Sequence, residues 1–168
     1  MNNQEKNRQV RQKLLFTLLD MMAEQDFDLI SVSDLAHRSG VGRASFYRNY
    51  TSKEDILQQE SARLMRVWGG NLQGDSPEAF SLALISLLDF LKENRDFYLA
   101  LYDAGMERVL QEAVISQFHA PADAPNDIAY RYHSLAFTFF GWIDAWIRRG
   151  MPESGAQLAQ MFAKAQLQ

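Results

Sequence analysis

The chain has 168 residues, of which 47% are hydrophobic, and a formal net charge of −4 at pH 7. This is enough apolar material for one substantial core, which excludes an extensively disordered protein. Cysteine is absent, so disulfides, thiolate nucleophiles and cysteine metal sites are excluded, and a reducing cytoplasm is the expected location. The polar start has no apolar segment of the kind a secretory signal needs, and the apolar run 135–147 is too short to span a bilayer. We therefore expect no membrane partner.

Residues 5–23 carry apolar side chains at four-residue spacing, namely Val10, Leu14, Leu18 and Met22. Residues four apart lie on the same face of a helix, so this spacing predicts a helix with one apolar stripe. We expect that stripe to cover the short helices that follow.

The segment 31–54 predicts two short helices joined by a glycine turn. Ala36 is small where a second helix must cross closely, Gly40 can adopt the positive φ that the turn needs, and Phe46 can anchor the second helix. These three requirements together are typical of a helix-turn-helix, whose second helix enters the DNA major groove.

Two capping patterns mark helix starts in this segment. Ser31 with Asp34 forms one, and Thr51 with Glu54 repeats the same spacing. With the glycine turn between them, the patterns predict helix starts near residues 32, 43 and 52.

The second of these helices is predicted to have an inner and an outer face. A rotation of 100° per residue turns Phe46 and Tyr50 towards the core. The outward set is Ala44, Ser45, Tyr47 and Arg48.

The segment is also locally basic in an acidic chain. Its only charged residues between Asp34 and Glu54 are Arg38, Arg43, Arg48 and Lys53. A local patch of this kind is sufficient to attract phosphates. The basic residues of the first helix are as consistent with contacts at the duplex edge as with a solvated helix start; they are Lys6, Arg8, Arg11 and Lys13.

The remainder predicts further helices and no strands. One helix continues from Lys53 to Gly69-Gly70 and would connect the two parts of the molecule. Another follows the cap-like Ser76-Pro77, with an apolar face of Phe80, Leu84, Leu87, Leu88 and Leu91. Asn94 is the expected cap of a helix over 95–104, and a further helix covers 107–118.

The segment 119–126 holds two of the four prolines and is predicted to be a loop. The next helix, 127–149, is apolar almost all round, which predicts burial on more than one side. A last helix follows Pro152. The predicted fold is all-α with about nine helices: a three-helix head at 1–52 and a helical body at 53–168.

At this point the sequence resembles the TetR family of bacterial transcription regulators. The resemblance is carried by residues 32–36, 40–47 and 50–57, which read VSDLA, GVGRASFY and YTSKEDIL. A weaker likeness to one subgroup lies at 141–151, which reads GWIDAWIRRGM. Gly42, Asn49 and Tyr50 depart from the Ser or Thr, His and Phe that are common in the family, and the body is short.

The resemblance implies a homodimer that binds a double-stranded DNA operator through its heads and often senses a small molecule in its body. Arg43, Ala44 and Ser45 match positions that approach bases. Phosphate or base contacts are implied for Ser33, Tyr47, Asn49 and Lys53. Arg48 suits a guanine, because a guanidinium matches the O6 and N7 acceptors.

Two sets of body residues have an expected role. Five residues of the first set have aromatic or polar side chains. They either line a cavity for a small apolar or aromatic effector, or they fill the core. They are Trp68, Tyr98, Tyr102, His133 and Phe137. The second set would pair with its symmetry mates in a four-helix bundle, which predicts a palindromic operator. It comprises Phe139, Trp142, Trp146, Leu158 and Phe162.

Catalysis, a cofactor and a metal site are not expected. The chain has neither a nucleophile elbow nor a phosphate-cradling glycine loop, and its three histidines lie on separate segments. The sequence thus predicts a regulator of transcription, in the first place a ligand-responsive repressor. The alternative is a DNA-bound regulator or activator whose body binds a partner protein and no small ligand.

Overall fold

The computed structural model describes residues 3–69, 77–118 and 120–165. All regular structure within these ranges is helical, with one 3-10 turn at Phe27–Leu29. The α-helices are α1 (Asn3–Met22), α2 (Val32–Ser39), α3 (Arg43–Asn49), α4 (Lys53–Trp68), α5 (Pro77–Glu93), α6 (Arg95–Asp103), α7 (Glu107–Ile115), α8 (Asn126–Arg148) and α9 (Gly155–Ala165). The predicted all-α fold is confirmed. Along the described ranges, no helix combines the length and the apolar character needed to cross a membrane.

The cap predicted for α2 is confirmed and the cap predicted for α4 is wrong by one residue. Ser31 Oγ accepts a hydrogen bond from the Asp34 N–H at 3.1 Å. At α4 the cap is Ser52, whose Oγ accepts from the Asp55 N–H at 3.3 Å. The N–H of Thr51 donates to the Asp55 carboxylate instead, at 2.8 Å, because the chain is still extended at Ser52.

Two other helix ends differ from the prediction. Asn94 precedes α6, but its side chain donates to the carbonyl of Phe90 at 2.9 Å and therefore closes α5 instead of capping α6. Helix α7 ends at Ile115, three residues before the predicted end. The expected roles of Gly70, Ser76, His119 and the Phe80 side chain lie outside the described residues.

One contiguous hydrophobic core joins the head to the body. Helix α1 packs on α2, α3 and α4 and also reaches α6, so it contributes to both parts. In the head its Leu14 and Leu18 are fully buried, as predicted from their spacing. In the body α4 packs on α7, α7 and α6 on α8, and α5 on α9.

Helix α8 divides into a buried and an exposed half. Its C-terminal half is covered by the chain, and Phe139, Ile143 and Ile147 are buried. In its N-terminal half, Tyr130 is 70% and Phe137 47% exposed. The single chain therefore buries the C-terminal half of α8 and leaves much of the N-terminal half open to solvent.

The contact between α5 and α9 depends on a glycine. The Gly155 N–H donates to Asp89 Oδ1 at 2.9 Å, which satisfies a backbone donor at the start of α9. A Cβ at Gly155 would lie 2.5 Å from that oxygen and 2.8 Å from the carbonyl oxygen of Ile85. The Asp89 side chain can rotate away, but the Ile85 carbonyl belongs to the backbone of α5. The two helices can pack this closely only with glycine here.

Gly155→Ala is expected to lower the free energy of unfolding by about 1–3 kcal/mol, because α9 must move away from α5. Gly42→Ser is the matched control. Position 42 has φ −61 and ψ 141, and an added Cβ meets no atom within 4 Å. Serine there supplies the missing α3 cap and should raise stability by a few tenths of a kcal/mol. Urea unfolding measures both; equal stability of Gly155→Ala and the natural chain would contradict the packing argument.

Candidate nucleic-acid interface

The turn between α2 and α3 requires glycine for its backbone conformation. Gly40 lies in the left-handed region at φ 65 and ψ 22. The Gly40 N–H bonds to the carbonyl of His37 at 3.2 Å, and the Val41 N–H bonds to that of Ala36 at 3.0 Å. Since a Cβ at Gly40 would meet no atom within 4 Å, the requirement is one of φ and not of space. Ala36 is buried, as the helix crossing predicts.

The second helix, α3, is held by two aromatic side chains. Phe46 is fully buried in the head core, and Tyr50 is buried beside it with the ring centroids 6.1 Å apart. Tyr50 follows the helix as its C-cap instead of lying within it, so α3 has only seven residues. Its inner face is the predicted one.

The outer face of α3 is open to solvent. Arg43, Ala44 and Arg48 are exposed, and Ser33 at the start of α2 is exposed as well. Tyr47 is 54% exposed, with its ring edge-on to Phe46 at a centroid distance of 5.2 Å. Four side chains that a base or a phosphate can reach are therefore presented by one short helix.

Two polar side chains of α3 are held by Ser45, which is half-buried. The Arg48 guanidinium donates to Ser45 Oγ one turn earlier. Asn49 Nδ2 donates to the Ser45 carbonyl oxygen at 2.8 Å. Arg48 is thus oriented along the outer face of α3. The Asn49 amide instead donates a hydrogen bond to a backbone carbonyl within its own helix.

Lys53 lies in a different environment from the one expected of a phosphate ligand. Its Nζ donates to the carbonyl oxygen of Phe27 at 2.5 Å and lies 4.3 Å from the centroid of the Phe27 ring. The side chain is half-buried between α4 and the 3-10 turn. Lys53 therefore fixes the start of α4 to the head, a role that the sequence did not predict.

The local positive charge is partly compensated by an acid outside the segment. Arg38 forms two hydrogen bonds with the Glu24 carboxylate at the end of α1. These bonds to Arg38 lower the pKa of Glu24. Within the described part of the chain, Arg43 and Arg48 have no carboxylate partner, so the positive surface is centred on α3.

A polar network ties the end of α3 to α1 and α4. Arg11 donates to Tyr50 Oη at 3.3 Å and also to Gln59 Oε1. Gln59 Nε2 reaches the Asn49 carbonyl at 3.4 Å and Asp55 Oδ1 at 2.9 Å. The hydroxyl that distinguishes Tyr50 from the phenylalanine common in the family therefore accepts a hydrogen bond from Arg11.

The pKa values of the phenol and the carboxyl group in this network are shifted in opposite net directions. Burial raises the pKa of Tyr50, and the Arg11 hydrogen bond offsets only part of that rise. Burial also tends to raise the pKa of Asp55, but the hydrogen bonds from Thr51 and Gln59 outweigh it and leave this pKa lowered. At neutral pH the network thus holds a neutral phenol and an ionised carboxylate.

Arg8 and Arg11, on the first helix, share one cleft of the structure. Both line a cleft between α1, α4 and the start of α6, on the side of the head that meets the body. Contact of these basic side chains with a duplex edge stays a prediction.

The five expected effector residues lie in different surroundings. Tyr98 is fully buried, and burial raises its pKa. Tyr102 lies under the Arg148 guanidinium, and Trp68 Nε1 donates to Ser86 Oγ at 3.2 Å. His133 and Phe137 contact each other on the exposed half of α8, with ring centroids 5.0 Å apart. The described side chains form no cluster of three histidine or acidic groups that would suit a metal ion.

Four of the five expected dimer residues are already covered by their own chain. Phe139, Trp146, Leu158 and Phe162 are buried, and Trp142 is half-buried against Phe162. The reason is that α8 and α9 pack these side chains into the core of the body. The apolar surface that remains exposed on these two helices lies on other residues: Tyr130, Tyr132, Phe137 and Met161.

The positioned face of α3 and the glycine turn define a helix-turn-helix DNA-binding head on a helical body. Residues 15–59 match the family described as bacterial regulatory proteins, tetR family. Residues 78–167, more than half of the chain, match a family described as transcriptional regulator C-terminal region. The chain therefore belongs to the TetR family, whose members are DNA-binding regulators.

One relative matches over a shorter stretch. It is an uncharacterized HTH-type transcriptional regulator of Bacillus subtilis (strain 168), YxbF, which is 38% identical over 74 residues. This stretch is 43% of the present chain but only 20% of that relative. The likeness therefore concerns a fifth of the relative's length.

Tyr50→Phe is expected to lower the free energy of unfolding by about 0.5–1.5 kcal/mol, because Arg11 loses an acceptor at the end of α3. Tyr47→Phe is the matched control and should change it by less than about 0.5 kcal/mol, since that side chain is exposed. Chemical denaturation followed by circular dichroism compares the two. An equal effect of both substitutions would show that the Arg11 contact contributes nothing.

Proposed function

We propose that the chain is a sequence-specific transcription regulator that acts in the cytoplasm as a ligand-responsive repressor. Residues 1–52 would be the DNA-binding unit, and 53–168 the effector-binding and dimerisation unit. The proposal rests mainly on the geometry of α3. Buried Phe46 holds this helix against the head core, and Arg43, Tyr47 and Arg48 are exposed on its outer face. Among the described residues, no carboxylate pairs with Arg43 or Arg48.

The exposed side chains divide into base readers and phosphate contacts. Arg48 is the proposed guanine reader, while Arg43, Ala44 and Ser45 approach neighbouring bases. Ser33, Tyr47 and Asn49 are the proposed contacts to phosphates, of which Ser33 and Tyr47 are exposed and Asn49 is half-buried. Lys53 acts mainly as a positioning residue, because its ammonium is engaged by Phe27.

Dimerisation is proposed through the exposed surfaces of α8 and α9. Tyr130, His133 and Phe137 lie on one stripe of α8 at three- and four-residue spacing, and Met161 is exposed on α9. Pairing with the same surfaces of a second chain would remove these side chains from water. The five dimer residues expected from the sequence would then pack beneath the interface, in the core of each chain. A two-fold dimer predicts a palindromic operator.

Arg48→Ala should weaken binding to the preferred duplex by about 1–3 kcal/mol and relax the preference at one base position. Tyr47→Phe should weaken binding to all sequences alike, because phosphates carry no sequence information. Selection from a random duplex pool at near-physiological salt, followed by titration of the selected site, measures both. Arg108→Ala, an exposed cation of the body, is the control that should leave binding unchanged. Equal effects of Arg48→Ala and Tyr47→Phe on preference would refute the division of roles.

Phe137→Glu should convert a dimer into a monomer, because it places a charge in the centre of the proposed apolar stripe. Leu82→Glu is the control, since Leu82 is 68% exposed on α5 and lies outside the stripe. Sedimentation equilibrium distinguishes the two states. A natural chain that is monomeric at micromolar concentration would overturn the dimer and favour the alternative in which the body binds a partner protein.

A further inference from the structure

One large cleft lies between the head and the body. It is formed by α1, by the second half of α4, and by the junction of α5 with α6, and it has a volume of about 920 Å³. Pockets that hold small ligands have volumes of about 300–1,000 Å³. We call it the head–body cleft. None of the five expected effector residues lines it.

The floor of the head–body cleft is apolar. It is formed by Leu15, Phe16, Leu19, Leu64 and Phe97. Phe16 is the notable member, because its side chain is 62% exposed although it lies in a concave site. An aromatic ring open to water in a cleft gains free energy when an apolar group covers it.

The rim of the cleft carries more cations than carboxylates. Its six basic side chains are Arg8, Arg11, Arg63, Arg66, Lys92 and Arg95. Its carboxylates are Glu60, Glu93 and Asp96. The surplus of positive charge favours an anionic ligand.

Existing contacts leave part of this positive charge uncompensated. Arg63 is paired with Glu60 through two hydrogen bonds, at 2.8 and 2.7 Å. Arg11 hydrogen-bonds only to the uncharged groups of Tyr50 and Gln59, and it lies close enough to the Asp55 carboxylate to contribute to the lowering of that pKa. Among the described residues Arg66 has no hydrogen-bonded or ion-pair partner. Arg11 and Arg66 are therefore the cations most available to an anion.

We propose that the head–body cleft binds a small amphipathic anion, with an apolar or aromatic part over Phe16 and a single anionic group near Arg11 and Arg66. The apolar floor would supply affinity, and the basic rim would fix the orientation of the ligand. The position matters for regulation, since the bound molecule would touch α1 of the head, the connector α4 and α6 of the body. A regulatory use of the site rests on the proposed function, whereas binding itself does not.

The test uses the purified 168-residue chain and two fluorescent probes. The first is 1-anilinonaphthalene-8-sulfonate, an aromatic anion, and the second is N-phenyl-1-naphthylamine, the same ring system without the sulfonate. The anion is expected to saturate at one site per chain and to bind at least about tenfold more tightly than the neutral probe, because Arg11 and Arg66 lie near its sulfonate. No DNA is present, so a failure of the proposed DNA binding cannot affect this result.

Variants locate the probe. Arg8→Glu/Arg66→Glu should weaken anion binding at least about tenfold by reversing two charges on the rim. Phe16→Ala should weaken binding of both probes without loss of the folded state, because the side chain is largely exposed. Arg131→Glu is the control, since Arg131 belongs to a second, smaller cleft on α8.

Three results would overturn the proposal. One is equal affinity for the two probes, and another is loss of binding in Arg131→Glu but not in Arg8→Glu/Arg66→Glu. The third is binding that never saturates. Thermal unfolding of each variant shows whether a loss of binding reflects a loss of structure. If the charge-reversed variant is unstable, the affinity of Phe16→Ala for the two probes still tests the site.

Discussion

The DNA-facing part of this molecule depends on the burial of Phe46. Helix α3 has seven residues, and a helix of that length is not stable alone in water. Its cap residue is glycine, which supplies no side-chain hydrogen bond. The geometry of the outer face therefore comes from the core side of the helix, where Phe46 is fully buried and Tyr50 packs next to it. Whatever disturbs that packing disturbs every proposed DNA contact together.

The polar network around Tyr50 extends this constraint beyond the head. Arg11 joins α1 to the end of α3, and Gln59 joins the same point to α4. Helix α4 continues into the body and packs on α7, so these hydrogen bonds link the end of α3 to the body. Because hydrogen bonds have a defined geometry, we expect a rotation of α4 to displace the last residues of α3.

The sequence predicted what local chemistry determines. The glycine turn, the Ser31 cap and the inward position of Phe46 follow from φ, hydrogen bonding and helical spacing, and all three are confirmed. It could not predict contacts between residues far apart in the chain. Arg38 pairs with Glu24 and Lys53 covers Phe27, so two of the four cations counted as a DNA-facing patch are used within the fold. The apolar pattern of α8 likewise predicts burial, but it does not indicate whether the same chain or a second chain buries the helix. The single chain buries mainly the C-terminal half of α8.

The basic surface of the protein is therefore divided into two parts that share the connector α4. One part is the outer face of α3, which has Arg43 and Arg48, and the other is the rim of the head–body cleft, which has Arg11 and Arg66. Arg11 belongs to the second part but bonds to Tyr50, which ends the helix of the first. An anion that draws Arg11 towards the cleft would compete with Tyr50 for its guanidinium. If that exchange changes the affinity of α3 for DNA, then DNA must change the affinity of the cleft for the anion by the same factor, because linked binding equilibria are reciprocal.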